Sequence, residues 1–198
     1  MAAGCESILV ESFEVGAPKP RPWRLVSRHP LFRHSLFSLE EQKLVADESD
    51  HRDALVLHPS GWVNMIALTE GQEVLLVRQW RFGSGELTLE IPGGMIDPGE
   101  QELDAAQREL LEETGYRAGE WTRLGEVRPN PAFMSNRCGT WLARDLSWIE
   151  EPKGDGSEEI SVESAPLAAI PGLISSGEIS HALVVAAFYL YERRLAPR

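Results

Sequence analysis

Apolar and polar positions alternate in short runs from Trp23 to Leu57, as in Trp23-Arg-Leu-Val, His34-Ser-Leu-Phe-Ser-Leu and Asp53-Ala-Leu-Val-Leu. A period of two predicts a few strands joined by loops. Trp62-Val-Asn-Met-Ile-Ala-Leu68 and Val74-Leu-Leu-Val-Arg78 follow as near-continuous apolar runs around the polar Thr69-Glu-Gly-Gln-Glu73. That pattern predicts a hairpin within a buried sheet. A further strand is expected at Leu87-Thr-Leu-Glu-Ile91, closed by Pro92-Gly93-Gly94 and a second turn at Asp97-Pro98-Gly99.

The period then changes. From Glu100 to Thr114, Leu103, Ala106 and Leu110 fall on one face at helical spacing, and Gly115 can take the left-handed conformation that ends a helix. Strands are expected at 122–127, 139–143 and 160–164, a short helix at 171–176 opened by its proline, and a longer helix at 181–195. Residues 1–22 close with Ala17-Pro-Lys-Pro-Arg-Pro22 and read as a tail, 23–57 as a small N-terminal sheet, and 58–198 as the main domain. The acidic, glycine-containing stretch 150–159 is expected to be a mobile surface loop.

Composition narrows the function. With 198 residues, 42% hydrophobic and 25% charged, the chain can bury a sizeable core. Its 31 acidic against 19 basic residues give a net charge of -12, which disfavours partners held by phosphate-backbone attraction, so neither nucleic acid nor an anionic membrane is expected. Two cysteines, Cys5 and Cys138, are too few for a disulfide framework or a Cys-rich zinc site and suit a reducing compartment. The start of the chain lacks a basic and apolar leader, and the longest apolar run, 182–190, is far below the roughly 20 residues of a membrane span. A cytoplasmic protein is expected.

The helix after Gly99 carries the chemistry. Glu109, Glu112 and Glu113 are spaced three and four apart, so their carboxylates can converge near one helix face. Like charges there repel, and Arg108 is the cation close in sequence; a divalent cation would turn the repulsion into attraction. Hard oxygen donors suit Mg²⁺, with Mn²⁺ as a substitute.

The run Gly94-Met-Ile-Asp-Pro-Gly-Glu100 through Arg108-Glu-Leu-Leu-Glu-Glu-Thr-Gly-Tyr116 resembles the Nudix box, GX5EX7REUXEEXGU with U bulky and apolar. At roughly 6% per residue type, its seven single-residue positions coincide by chance about once in 3 × 10⁸ start sites. Tyr116 stands where an aliphatic residue is more usual. The resemblance implies the Nudix fold, an α/β (α+β) architecture with a mixed sheet between helices and a small N-terminal antiparallel sheet. It also implies metal binding by Glu109, Glu112, Glu113 and the Gly93 carbonyl, with Gly94, Glu100, Arg108 and Gly115 as structural supports of the loop and helix.

Beyond the box, Trp62 to Leu68, Val77-Arg-Gln-Trp-Arg81 and Leu89-Glu-Ile-Pro-Gly-Gly94 resemble the ADP-ribose and nucleoside diphosphate sugar pyrophosphatases. A proline about 16 residues after the box, here Pro131 with Pro129 nearby, marks the ADP-ribose branch. The implied reaction is hydrolysis of the pyrophosphate of a nucleotide sugar to a nucleoside monophosphate and a sugar phosphate. Glu112 and Glu113 would serve catalysis with a general base outside the box, placed on Glu158, with Glu159 and Asp155 as alternative registers. Arg81 would contact phosphate, as a guanidinium fork does well, with Arg137 a second candidate. Trp23 resembles an aromatic that stacks on the base where the N-terminal sheets of two subunits meet, which implies a homodimer; a core tryptophan fits equally. Segment 130–138 resembles a substrate loop, with Gly139 where a histidine is expected. Two other readings remain: a non-catalytic nucleotide-binding module of the same fold, and a Nudix enzyme for nucleoside triphosphates or dinucleoside polyphosphates.

Overall fold

The computed structural model describes residues 20–153 and 159–195. β1 (Arg24–Arg33), β2 (Phe37–Val45) and β3 (His51–Pro59) form an antiparallel meander, Arg24 opposite Val45 and Phe37 opposite Pro59. The 23–57 alternation becomes these three strands. Val26, Leu31, Phe32 and Leu55 of this sheet stay exposed.

The main body holds two more sheets. β4 (Trp62–Ala67), β7 (Gly93–Met95), β8 (Tyr116–Val127) and β9 (Cys138–Trp148) build a mixed sheet in the order β7-β4-β9-β8, with β4 parallel to β9. β5 (Glu73–Arg81), β6 (Glu86–Glu90) and β10 (Ile160–Pro166) form an antiparallel sheet in the order β10-β5-β6. Helices α1 (Glu102–Thr114), α2 (Ile170–Ser175) and α3 (Ala182–Leu195) complete the fold. Among the described residues no helix is long and apolar enough to cross a membrane.

The expected hairpin between β4 and β5 does not form. A single bridge, Leu68 to Val74, joins them, and the chain changes sheets across Thr69–Glu73. The cause lies in what borders each strand. Both edges of β4 are taken by β7 and β9, and both edges of β5 by β6 and β10, so neither has an edge left for the other. The turn itself is tight, with the Thr69 N–H donating to Glu73 at 2.9 Å and Gln72 at φ 61°.

β4 explains where the core sits. Val63, Met65 and Ala67 pack with Ala105, Ala106 and Leu110 of α1, while Ile66 and Leu68 pack with Val184, Ala187, Phe188 and Tyr191 of α3. Both faces of one strand are buried, so its sequence reads as a continuous apolar run. Each large side chain so buried contributes about 1.5–3 kcal/mol.

Helix α1 starts two residues later than its pattern suggests. Glu100 belongs to the preceding turn, its N–H donating to the Asp97 carbonyl at 3.0 Å and its carboxylate accepting from the Asp97 N–H at 3.0 Å. Gly115 ends the helix at φ 75°, donating to the Leu111 carbonyl at 2.8 Å. A Cβ there would also overlap the Glu150 carbonyl, so glycine is required twice over.

The first turn of α1 is anchored by Glu102, which accepts from Trp141 Nε1 at 2.7 Å and from Arg123 at 2.8 and 3.1 Å. A Cβ on Gly139 would land on that carboxylate. The space a histidine would need at 139 is therefore occupied by Glu102. Gly139→His is expected to displace it and lower stability by about 1–3 kcal/mol, read as a drop in thermal midpoint; an unchanged midpoint would show that Glu102 anchors nothing.

Candidate active site

Arg81, Gly93, Gly94, Arg108, Glu109, Glu112 and Glu113 line one cleft of about 500 Å³, together with Leu36, Trp62, Met95, Asp97 and Ile160. β5 brings Arg81, β7 the two glycines, α1 the glutamates, and β10 begins at the cleft wall with Ile160. Leu36, from the turn between β1 and β2, shows that the N-terminal sheet reaches the same cleft.

The glycines are set by close packing. A Cβ on Gly93 would press into the backbone of Val63 and Asn64 in β4, and one on Gly94 would overlap the Glu109 carboxylate. Glu113 is nearly buried, 6% exposed, and accepts the Gly93 N–H at 2.8 Å. The box loop and its helix are thus joined through an acidic side chain rather than through apolar contact alone.

Arg108 spreads over the remaining acids. Its guanidinium donates to Glu100 (two bonds at 2.9 Å), to Glu109 at 2.8 Å, to Glu112 at 3.1 Å and to the Met95 carbonyl at 2.9 Å. Glu100, bonded by Arg108, is held below the usual carboxylate range. Burial pushes the Glu109 carboxyl up in spite of Arg108, and Glu112 and Glu100 add to that. Arg108 draws Glu109 and Glu112 toward itself, and among the described residues no three acidic, His or Cys groups are gathered as a ready ligand set.

Nothing in the local sequence marks Glu90, Thr88 and His181 as site residues. Arg81 is held by Glu90, Nε to Oε1 at 2.8 Å and the terminal nitrogen to Oε2 at 3.0 Å, and Thr88 adds a hydroxyl bond at 2.7 Å. Its guanidinium carbon lies 5.9 Å from the centre of the Trp62 ring. Burial alone would raise the Glu90 carboxyl, but Arg81, with His181 and Thr88, brings it below its ordinary range. In Leu87-Thr-Leu-Glu-Ile91 the polar positions look like a solvent face, and nothing local shows that they meet Arg81 and α3. Cys138, nearby beneath the cleft, is a buried thiol pushed up to about 12 by burial and so stays protonated.

Trp23 and Arg137 are not among the residues that line the cleft. Trp23, just before β1, is half-buried under the Arg52 guanidinium of β3, 4.8 Å from the ring centre. Arg137 is exposed and pairs with Glu126, which also faces Arg123. Glu158 and Asp155 lie outside the described residues; Glu159 is described and exposed.

The model of the NUDIX domain matches residues 58–188, well over half of the chain. The chain belongs to the Nudix hydrolase family. It is 30% identical over 159 residues to an ADP-ribose pyrophosphatase of Bacillus subtilis (strain 168), spanning 79% of this chain and 85% of that one. It is 32% identical over 126 residues to the ADP compounds hydrolase NudE of Escherichia coli (strain K12), 64% of this chain and 67% of the relative. A crystal structure of an ADP compounds hydrolase superposes with a TM-score of 0.77 at 26% identity, covering 90% of this Nudix chain and 97% of the other. The fold is the Nudix fold, with its α1 carrying the box.

Proposed function

We propose that this Nudix hydrolase cleaves the pyrophosphate bond of ADP-ribose or a related nucleoside diphosphate sugar, giving a nucleoside monophosphate and a sugar phosphate. The observation that carries the reading is the single cleft in which the box glutamates, the Gly93-Gly94 loop and Arg81 meet. The named relatives act on ADP-ribose and ADP compounds, which favours that substrate class over nucleoside triphosphates.

The donor chemistry fits Mg²⁺, or Mn²⁺ in its place. Five carboxylates, Glu90, Glu100, Glu109, Glu112 and Glu113, stand against two guanidiniums, Arg81 and Arg108, and burial raises Glu109 in spite of its bond to Arg108. Glu109, Glu112, Glu113 and the Gly93 carbonyl would hold the ion, all hard oxygen donors. Bound there, it would neutralise the pyrophosphate and ease deprotonation of the attacking water.

The chain's own groups do the rest. Arg81, held along its Nε edge by Glu90, brings a guanidinium charge to a cleft whose other described cation is Arg108, where a phosphate can pair with it. Glu100 and Arg108 tie the loop to the helix, which keeps the glutamates in register. Glu158 takes the proton of the attacking water, with Glu159 and Asp155 the neighbouring alternatives; Ile160 at the cleft wall supports a base just upstream of it.

The test is product release from ADP-ribose, GDP-mannose, other nucleotide sugars, dinucleoside polyphosphates and nucleoside triphosphates, each with Mg²⁺ and with a chelator. Turnover of a nucleotide sugar that stops with chelator is expected. Substrate binding without turnover in Mg²⁺ or Mn²⁺ would make the chain a binding module instead.

We also propose a homodimer built on the N-terminal sheet, with Trp23 stacking on the base in a site the two subunits share. Exposed Val26, Leu31, Phe32 and Leu55 give that sheet an apolar surface to cover. Light scattering is expected to give twice the 22.0 kDa chain mass; a monomer at micromolar concentration would remove the partner from the site.

A further inference from the structure

We propose that His181 is a positioning residue for Arg81, acting through Glu90. The inference rests on the reading that Arg81 contacts substrate phosphate.

Glu90 is 2% exposed, and a carboxylate so buried needs donors on both oxygens. Oε1 has two, Arg81 Nε at 2.8 Å and the Thr88 hydroxyl at 2.7 Å. Oε2 accepts from Arg81 at 3.0 Å and faces His181 Nδ1 at 3.5 Å. That ring nitrogen is buried and makes no hydrogen bond of ordinary geometry, so Glu90 is the group it addresses. Trp62, Asn64, Arg81, Glu90 and His181 line one small cavity beneath the cleft.

The arrangement is a chain of contacts from the start of α3 to the cleft. His181 steadies Oε2, the carboxylate plane then fixes both bonds to Arg81, and the guanidinium is set at one angle beside the Trp62 ring. A rigid carboxylate orients a guanidinium bidentately, whereas a carboxylate free to turn keeps the charge and loses the angle. His181 also caps α3, but through its backbone carbonyl, which accepts from Val184 at 3.0 Å and Val185 at 3.1 Å. A side-chain substitution leaves that cap in place, and Asn is itself a favoured residue there.

The test compares His181→Ala with His181→Asn, whose amide nitrogen can stand near the place of Nδ1. The first readout needs no substrate: the Nε–H resonance of Arg81 in ¹H–¹⁵N spectra, assigned by its loss in Arg81→Lys. Its exchange with water is expected to quicken at least about tenfold in His181→Ala and to return toward wild type in His181→Asn. Unchanged exchange in His181→Ala, or equal loss in both variants, overturns the proposal.

The second readout is kinetic, with ADP-ribose and Mg²⁺. His181→Ala is expected to raise KM about five- to tenfold, the worth of one hydrogen bond from Arg81 to phosphate that loses its angle, with kcat within about twofold. Arg81→Ala is expected to raise KM at least as far, and the double variant no further. Additive effects in the double variant place His181 elsewhere and overturn the proposal. An Arg81→Ala enzyme with unchanged KM removes the phosphate contact instead, and a wild type inert toward ADP-ribose removes that substrate; in both cases the exchange measurement still decides the positioning.

Discussion

Glu113→Gln is expected to lower kcat/KM by about 10³-fold or more while leaving the fold intact. Glu113 is the most enclosed of the three box carboxylates in the cleft, and its Oε2 accepts the Gly93 N–H at 2.8 Å. The amide oxygen of Gln can keep that bond, so the loop stays joined to α1 and the thermal midpoint should move by only a few degrees. What disappears is the negative charge. A group that holds a divalent cation against pyrophosphate lowers the barrier by several kcal/mol, and about 4 kcal/mol is a thousandfold. The variant should match wild-type protein in chelator, because both lack the same interaction. Undiminished turnover would remove the metal from the mechanism; a thousandfold loss accompanied by unfolding would instead assign Glu113 to the loop alone.

The contrast between Glu113 and Glu90 shows what the sequence reveals. The box glutamates are recognisable because their spacing is local, three and four residues on one helix. Arg81 and Glu90 are nine apart on neighbouring strands and are not cross-strand partners: β5 and β6 pair with Arg81 opposite Glu86 and Val77 opposite Glu90, which puts all four on one sheet face, and the long Arg81 side chain reaches along that face to Glu90. His181 lies 91 residues beyond Glu90, and no periodicity links the two. The same division holds for the fold. Alternation and turn residues locate most strands, but β7 forms at Gly93–Met95 where a turn is expected and β8 and β9 run well beyond 122–127 and 139–143, while the left-handed Gly115 marks the end of α1. Polar residues between two apolar runs, however, look alike whether the strands pair or part into different sheets. Which occurs is decided by β9 and β10, far along the chain, so the β4–β5 separation could not be read locally. Gly139 is a further case, because the reason for its missing side chain is Glu102, brought there by packing of the helix on the sheet.

Arg108→Gln is expected to cost about 2–4 kcal/mol of stability, less than the 3–5 typical of a fully buried ion pair because the side chain is 29% exposed. For a chain of this length that is a fall in Tm of roughly 5–15 °C. The loss would depend on pH in a direction fixed by the two carboxyls it contacts. Glu100 is depressed in the folded protein, so its contribution is present above its unfolded pKa and is lost as pH falls through the folded one. Glu109 is raised, so its burial favours the fold at low pH and opposes it once the carboxyl ionises. Without Arg108 the second effect grows, so the deficit against wild type should narrow on mild acidification; the Glu100 part, which titrates below the ordinary carboxylate range, is lost only in stronger acid. Mg²⁺ at neutral pH should narrow it too, since a cation among Glu109, Glu112 and Glu113 would compensate the charge that Arg108 now offsets. Thermal melts between pH 5 and 8, with Mg²⁺ and with chelator, separate the cases: a deficit that neither proton nor Mg²⁺ alters would mean that Arg108 acts through the Met95 carbonyl and packing rather than through charge.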